Sequence, residues 1–454
     1  MTTKNNDSTW TKSTCAYCGV GCGIEAKVNA NGTLEVRGDK DHPANYGKLC
    51  SKGLKLGETV TPNGRMLSPS VHGEDCAWDD ALSHVANTFK NTIAEHGPDA
   101  VAFYVSGQLL TEDYYVVNKL MKGFIGTANI DTNSRLCMAS SVVGHKRAFG
   151  EDCVPGNYED LELANLVVLT GSNLAWCHPV LYQRLKAAKA RRGTKIVVID
   201  PRQTATCEIA DLHLPLFPGS DIALFNGLLA YLAKRGQINQ GYIDNNTIGF
   251  GSALDTAGRF ANINTVALAT GLKVGDIETF YQWFRATPKT VTVYSQGVNQ
   301  STSGSDKVNS ILNCHLATGR VGLPGSTPFS VTGQPNAMGG REVGGLANTL
   351  AAHMEFGNKE QAELLSHFWQ TENLASQPGL KAMDMFNAME SGKIKALWVM
   401  ATNPAVSLPE SQRINTILAN CPYVVVSDCV ESNDTLKYAH VRLPAQAGAK
   451  NPAP

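Results

Sequence analysis

Apolar and polar positions alternate close to the N-terminus, where Ile24-Glu25-Ala26-Lys27-Val28 and Thr33-Leu34-Glu35-Val36-Arg37 flank Asn31-Gly32. A two-residue rhythm around Asn-Gly predicts a β-hairpin. From Asp79 onward the rhythm changes to short apolar runs separated by longer segments with helical spacing. Residues 100–105 read as a strand, followed by a helical stretch near 112–122. Leu166-Val167-Val168-Leu169-Thr170 is an unbroken apolar run, as expected of a strand buried on both faces. It ends in Gly171-Ser172-Asn173, and a helix over 182–191 leads into Lys195-Ile196-Val197-Val198-Ile199-Asp200-Pro201-Arg202. Strand, small-residue turn, helix, strand and acid make a Rossmann-like unit that holds a nucleotide at its strand ends. No G-x-G-x-x-G is present, so an ordinary NAD site is not expected.

The pattern recurs. Lys395-Ala396-Leu397-Trp398-Val399-Met400 ends in Thr402-Asn403-Pro404, and a helix over 412–419 precedes Pro422-Tyr423-Val424-Val425-Val426-Ser427-Asp428. Asp200 is followed by Leu212-His213-Leu214-Pro215, and Asp428 by Val441-Arg442-Leu443-Pro444. Two readings fit this echo: two nucleotide half-sites, or the repetition inherent in any doubly wound fold.

At 454 residues the prior is about three domains with a large buried core. A net charge of −1 gives no reason to expect nucleic-acid or anionic-membrane partners. The longest apolar stretches, such as 223–233, are too short to span a bilayer, and residues 1–10 are polar, so the expected location is the cytoplasm. Twelve cysteines in so long a chain do not make a disulfide scaffold, and four of them form one tight group.

Those four are Cys15, Cys18, Cys22 and Cys50, spaced C-x2-C-x3-C-x27-C, with Gly19, Gly21 and Gly23 interleaved. Four thiolates can enclose one metal centre, and the glycines let the backbone curl close to it. Structural zinc usually draws cysteines as two pairs, whereas three plus one suits a [4Fe-4S] cubane. By spacing alone the cluster, zinc and coincidence all remain open. Lys52 lies two residues beyond Cys50. It reads either as a solvated lysine or as a cation lodged between the cluster and a second redox group.

With the cysteine motif and Cys50-Ser51-Lys52-Gly53, two further stretches carry a resemblance: Asn129-Ile130-Asp131-Thr132-Asn133-Ser134-Arg135-Leu136-Cys137-Met138, and Gly333-Gln334-Pro335-Asn336-Ala337-Met338-Gly339-Gly340-Arg341-Glu342. From about Thr14 to Gln446 the chain resembles the molybdenum bis-(molybdopterin guanine dinucleotide) oxidoreductases, and among them the bacterial assimilatory nitrate reductases. The resemblance implies an α/β fold with a small [4Fe-4S] domain at 1–70. A central α/β domain would combine 71–145 with 325–447, and a second would fill 146–324. The cofactors implied are the cluster, molybdenum and the bis-molybdopterin guanine dinucleotide. Asp200 and Asp428 would lie at the two guanosine ends. Gly171, Ser172 and Asn173 with Gly219-Ser220-Asp221 would line one dinucleotide, and Thr402, Asn403 and Pro404 the other.

Alone, a Cys between Leu136 and Met138 is usually a buried structural thiol. Within the motif Cys137 resembles the thiolate that ligates molybdenum, a soft donor for a high-valent metal. Formate dehydrogenases of the superfamily carry a His in the place of Met138, and a thioether moves no protons, which favours oxygen-atom transfer. Arg341 and Gln334 would face the substrate, because a guanidinium fork suits planar nitrate. A pterin or surface contact is the other reading of Arg341. Residues 294–300 would form another part of the pocket. The activity implied is reduction of nitrate to nitrite, with electrons arriving through the cluster past Lys52 from a ferredoxin, a flavodoxin or an NADH-linked flavoprotein subunit. The rivals are formate or other oxyanion chemistry on the same fold, and an iron–sulfur electron-transfer subunit without molybdenum.

The resemblance stops at residue 447. The family continues Trp-Gly-Glu-Lys-x-Gly-Thr-Val-Thr, whereas this chain reads Gly448-Ala449-Lys450-Asn451-Pro452-Ala453-Pro454. Losing the first nucleotide of a reconstructed TGG-GGC-GAA-AAA-CCC-GGC-ACC-GTG-ACC yields that heptapeptide and a stop. The other readings of the tail are a deliberate truncation or real divergence. The expectation is an aberrant tail at 448–454, a missing pterin-closing domain, and poor cofactor retention by this polypeptide alone.

Overall fold

In a computed structural model, residues 9–446 are described and form three sheets. The expected aberrant tail, 448–454, lies outside the described residues. The first sheet is antiparallel: β1 (Thr11–Thr14), β2 (Gly23–Val28) and β3 (Leu34–Gly38). β2 and β3 are the expected hairpin, paired from Ile24↔Gly38 to Val28↔Leu34, with Gly32 at φ +79 in the turn. β1 joins them through Thr11↔Ala26 to Thr14↔Gly23. All four of its residues are exposed, so no apolar pattern announces it.

The chain next lays down β4 (Ser70–Val71), β5 (Glu74–Asp75), β6 (Val101–Val105) and β7 (Ile130–Thr132). It leaves them to build β8 (Leu166–Thr170), β9 (Lys195–Ile199), β10 (Leu212–Leu214), β11 (Thr290–Tyr294) and β12 (Thr327–Ser330). It then returns with β13 (Ala396–Met400), β14 (Tyr423–Asp428) and β15 (Val441–Pro444). Five strands form one sheet in the order β10-β9-β8-β11-β12, and seven form the other in the order β5-β4-β15-β14-β13-β6-β7. Because β12 pairs with β11, the five-stranded sheet extends past the boundary at 324 expected from the sequence.

The stretch β15-β14-β13-β6-β7 reproduces β10-β9-β8-β11-β12 strand for strand, and every pair within both is parallel. Strand order reverses at β8 in one sheet and at β13 in the other. A parallel sheet opens a crevice at its strand C-termini at such a switch point. The echo in the sequence is thus a repeat of whole sheets.

Both sheets are covered on both faces. Leu166 and Val168 pack with the helix Asp221–Lys234, while Val167 and Leu169 pack with Leu181 and Leu185 of the helix Pro179–Arg192. Cys15, Val20, Cys22 and Ile24 join this second core, so the cysteine loop is seated on the five-stranded sheet. Pro at the first turn and Gly193 at φ +69 bound the helix Pro179–Arg192. The helix expected over 112–122 runs as Thr111–Asn118 and then widens to a π-helix over Lys119–Ile125. The wide turn carries Lys122, which is fully buried and donates to the carbonyls of Gly344, Leu346 and Thr349.

His315 is buried beneath the five-stranded sheet, with Nδ1 on Arg320 O (3.0 Å) and Nε2 on Thr292 Oγ1 (2.8 Å). Burial pushes its pKa down to about 3 from the ordinary 6.5. The unfolded chain therefore takes up this proton between pH 6.5 and 3 while the folded chain does not, so stability is present above 6.5 and is lost as pH falls toward 3. The melting temperature is expected to fall across that window, and His315→Gln to flatten the slope relative to the parent in paired thermal melts.

Candidate functional site

Cys15, Cys18 and Cys22 sit in the loop between β1 and β2, and Cys50 immediately precedes the short helix Ser51–Leu54. Cys15 N–H donates to Cys22 O at 2.8 Å, and Gly21, at φ +63, donates to Cys18 O at 3.2 Å. Asn45 clamps the start of β2 by bonding Gly23 in both directions, at 2.8 and 2.9 Å. Gly19 donates to Gly333 O at 3.0 Å, and a Cβ there would strike the carbonyl of Thr332. Burial pushes the Cys15 and Cys18 thiols up and Cys22 to about 12, and the neighbouring thiols add to each shift. The set is thus a nest of thiols whose negative charge needs a cationic core. Among the described residues no three His, Cys, Asp or Glu side chains form the close group that a single ion takes.

Lys52 is exposed on the helix Ser51–Leu54, and its charge acts on Cys15, Cys18, Cys177 and His178. Cys177 in turn feels Cys137. Cys177 thus lies within electrostatic reach of both Lys52 and Cys137.

Cys137 and Met138 are buried near the start of the helix Arg135–Phe149, which is broken at Met138 (φ −133, ψ 16). Gln296 Nε2 lies 2.6 Å from Cys137 Sγ, and Gln296 Oε1 accepts from Ser295 at 3.1 Å. Arg341 is buried with its Nε on Asp152 at 2.5 Å and its Nη1 on Ala337 O (3.2 Å) and Met138 Sδ (3.6 Å). Much of the guanidinium expected to grip substrate is thus used by the protein itself. No hydrogen bond among the described residues uses Nη2, which leaves that edge as the free donor. Gln334 Oε1 accepts from Thr332 at 3.3 Å, and a Cβ on Gly107 would stand 2.9 Å from its stem. Cys137, Met138 and Arg341 are therefore brought together, with Gln296 and Asp152 added.

The two strand ends repeat in detail. Gly171 (φ +55) follows β8 and Ala401 (φ +53) follows β13. Gly171 takes its glycine from crowding, since a Cβ would lie 2.7 Å from Gly297 Cα. Thr206 Oγ1 donates to Asn173 Oδ1 at 2.8 Å, and Thr435 Oγ1 donates to Asn403 Oδ1 at 2.6 Å. Thr402 Oγ1 accepts from Asn133 at 3.2 Å, and Pro404 opens the helix Pro404–Ser407. Asp200 and Asp428 end at equivalent places after β9 and on β14. Asp200 accepts from the Arg202 N–H (2.9 Å), whereas Asp428 holds Cys429 and Val430 N–H groups and Asn433. Gly219 (φ +90) and Ser220 turn the chain beyond β10, but Asp221 is committed to a buried ion pair with Lys307 at 2.7 Å. Among the described residues, Thr170 Oγ1, Ser172 Oγ, His178 Nδ1 and Tyr182 Oη are buried without a partner along the stretch that runs from the end of β8 into the helix Pro179–Arg192. Orphaned polar atoms in such number mark a surface shaped for a polar group.

Residues 65–448 match the molybdopterin oxidoreductase family, and residues 8–62 match the molybdopterin oxidoreductase Fe4S4 domain. The chain belongs to the molybdopterin oxidoreductase family. It is 55% identical over 440 residues to a nitrate reductase of Klebsiella oxytoca, covering 97% of this chain and 50% of the relative. It is 52% identical over 444 residues to a nitrate reductase of Shewanella frigidimarina, covering 96% and 47%. The chain spans about half the length of these curated relatives. The acetylene hydratase structure from Pelobacter acetylenicus has the same fold, with TM-score 0.77 at 20% identity, covering 95% of this chain and 62% of that one.

A [4Fe-4S] cluster, molybdenum and molybdopterin are the cofactors that these two domains carry. The donor sets fit them: a thiol nest for the cluster, a soft buried thiol at Cys137, and orphaned polar atoms at the strand end. Sequence reasoning missed Asp152, which nothing local marks, and singled out no role for Gln296. It also missed Thr206 and Thr435, although Thr206-x3-Ala210-x3-Leu214-Pro215 and Thr435-x3-Ala439-x3-Leu443-Pro444 repeat the same signal.

Breaking one side of a buried ion pair typically costs about 3–5 kcal/mol, because the other charge is stranded. Asp152→Ala is therefore expected to destabilise the chain by about that amount in chemical denaturation. The double variant Asp152→Ala, Arg341→Met should recover part of the loss.

Proposed function

We propose that this chain is the cofactor-holding core of a molybdenum-dependent reductase that converts nitrate to nitrite, in the assimilatory form to which the sequence is similar. The observation that carries the proposal is the free Nη2 edge of a buried arginine, placed by Met138 beside Cys137. A planar anion with three acceptor oxygens suits such an edge, and burial strengthens the attraction by excluding water. The nitrate reductases among the relatives support the same reading.

When bound, molybdenum supplies the oxygen-atom transfer, and the balance takes two electrons and two protons to release nitrite and water. The chain's own residues do the rest. Cys137 would hold the metal, with Gln296 fixing its sulfur. Asp152 fixes the plane of Arg341, whose Nη2 N–H groups would then be left to hold nitrate. Met138 is a thioether and supplies no transferable proton of its own. Cys15, Cys18, Cys22 and Cys50 would hold the cluster, and Lys52 would place a positive charge on the route by which single electrons leave it.

The test is nitrite formation by the cofactor-loaded enzyme with a reduced viologen as electron donor. Cys137→Ser is expected to abolish nitrite formation while the visible absorption of the cluster persists, and Cys18→Ser to lose that absorption. Undiminished nitrite formation by Cys137→Ser, or iron without molybdenum in the loaded protein, would overturn the proposal. Lys52→Met is expected to slow reduction of the metal by about tenfold, a usual cost of losing an outer partner of a metal site. The KM for nitrate should hold, and stopped-flow reduction against steady-state kinetics separates the two.

A further inference from the structure

We infer that Thr206 and Thr435 are a matched pair of positioning residues, each locking a strand-end carboxamide so that a free N–H faces the pyrophosphate of one nucleotide tail. The inference rests on the proposal that the crevices after β8 and β13 hold the two nucleotide ends of the cofactor.

Both threonines are fully buried. Thr206 Oγ1 donates to Asn173 Oδ1 (2.8 Å) and accepts from the Ala175 N–H (3.1 Å). Thr435 Oγ1 donates to Asn403 Oδ1 (2.6 Å) and accepts from the Ala405 N–H (3.2 Å). A hydroxyl has one proton to give, and here that proton is given to the carboxamide oxygen. At Asn403 the oxygen is identified, because the Thr435 backbone N–H, which can only donate, also points at Oδ1 (3.1 Å). Asn173 takes the same orientation in the repeat, with its oxygen on the Thr206 hydroxyl.

What remains of each asparagine is its NH2 group. That of Asn173 makes no hydrogen bond among the described residues and lies next to the orphaned Ser172 hydroxyl. At Asn403 one N–H is engaged by the carboxylate of Asp434, which Lys437 holds at 2.9 Å, and the second N–H is left for a ligand. The residues around the two clips differ, Gly-Ser-Asn-Leu in one and Ala-Thr-Asn-Pro in the other, yet the same two bonds recur at the same place in both sheets. An acidic phosphate oxygen is the acceptor that such preorganised amide donors fit. Each clip also ties the loop after the first strand of its unit to the loop that follows Asp200 or Asp428.

The test is calorimetric titration of the chain with guanosine diphosphate. The parent is expected to bind two equivalents. Thr206→Val and Thr435→Val should each weaken one site by about tenfold and leave the other unchanged, and the serine variants should bind as the parent does. Parent-like affinity at both sites in the valine variants, whatever their melting temperatures, would overturn the positioning role while leaving the two nucleotide sites standing. A parent that binds no guanosine diphosphate would defeat the nucleotide reading itself, and the inference with it.

Discussion

The arrangement of the whole site depends on one close approach, where Gly19 of the cysteine loop meets the segment Thr332-Gly333. The Gly19 N–H reaches Gly333 O at 3.0 Å, and there is no room for a side chain. On the other side of that segment, Gly333 lies against Gln296, which touches Cys137. A few backbone atoms therefore separate the thiol nest from the buried thiol. His178 reinforces the seam from beneath by bonding Thr332 O at 2.6 Å. Precise placement of two redox groups is achieved here through glycine contacts, whose tolerance for displacement is small because packed backbones have nowhere to relax.

Around that seam the fold is a repeat. Two parallel sheets with the same strand order each open at a switch point, and each stabilises its rim with the same asparagine–threonine arrangement. Among the described residues, the first rim carries unsatisfied hydroxyls and an unpartnered imidazole nitrogen, while the second uses Asn133 to satisfy Thr402. The two halves share a frame but not the same electrostatic detail.

Much of this was legible in the amino-acid order, and the physical reason differs from place to place. β8, β9, β13 and β14 were readable because strands covered on both faces must be apolar throughout. The hairpin was readable from alternation around Asn31-Gly32, and the thiol nest from spacing. β1 was not, since Thr11–Thr14 is held by backbone pairing with exposed side chains. Asp152 was hidden because its meaning lies in a partner, Arg341, that is distant in the chain. The kink at Met138 was hidden because a helix interrupted by one residue keeps its composition. The role of Arg341 was foreseen only in part: its charge was expected to serve an anion, and a carboxylate of the protein takes its Nε edge.

The seven-stranded sheet is assembled from the two ends of the described chain, β4–β7 and β13–β15, with the entire five-stranded unit between them. As the chain emerges from the ribosome, Val101–Val105 has β7 beside it but waits for nearly three hundred further residues before its other neighbour, β13, exists. All five residues of that strand are buried in the finished protein. During synthesis they form an open, apolar strand edge of the kind that recruits wrong partners. Correct assembly therefore requires that this edge stay free of wrong partners until the late strands arrive, and slow translation through the inserted unit lengthens the exposure.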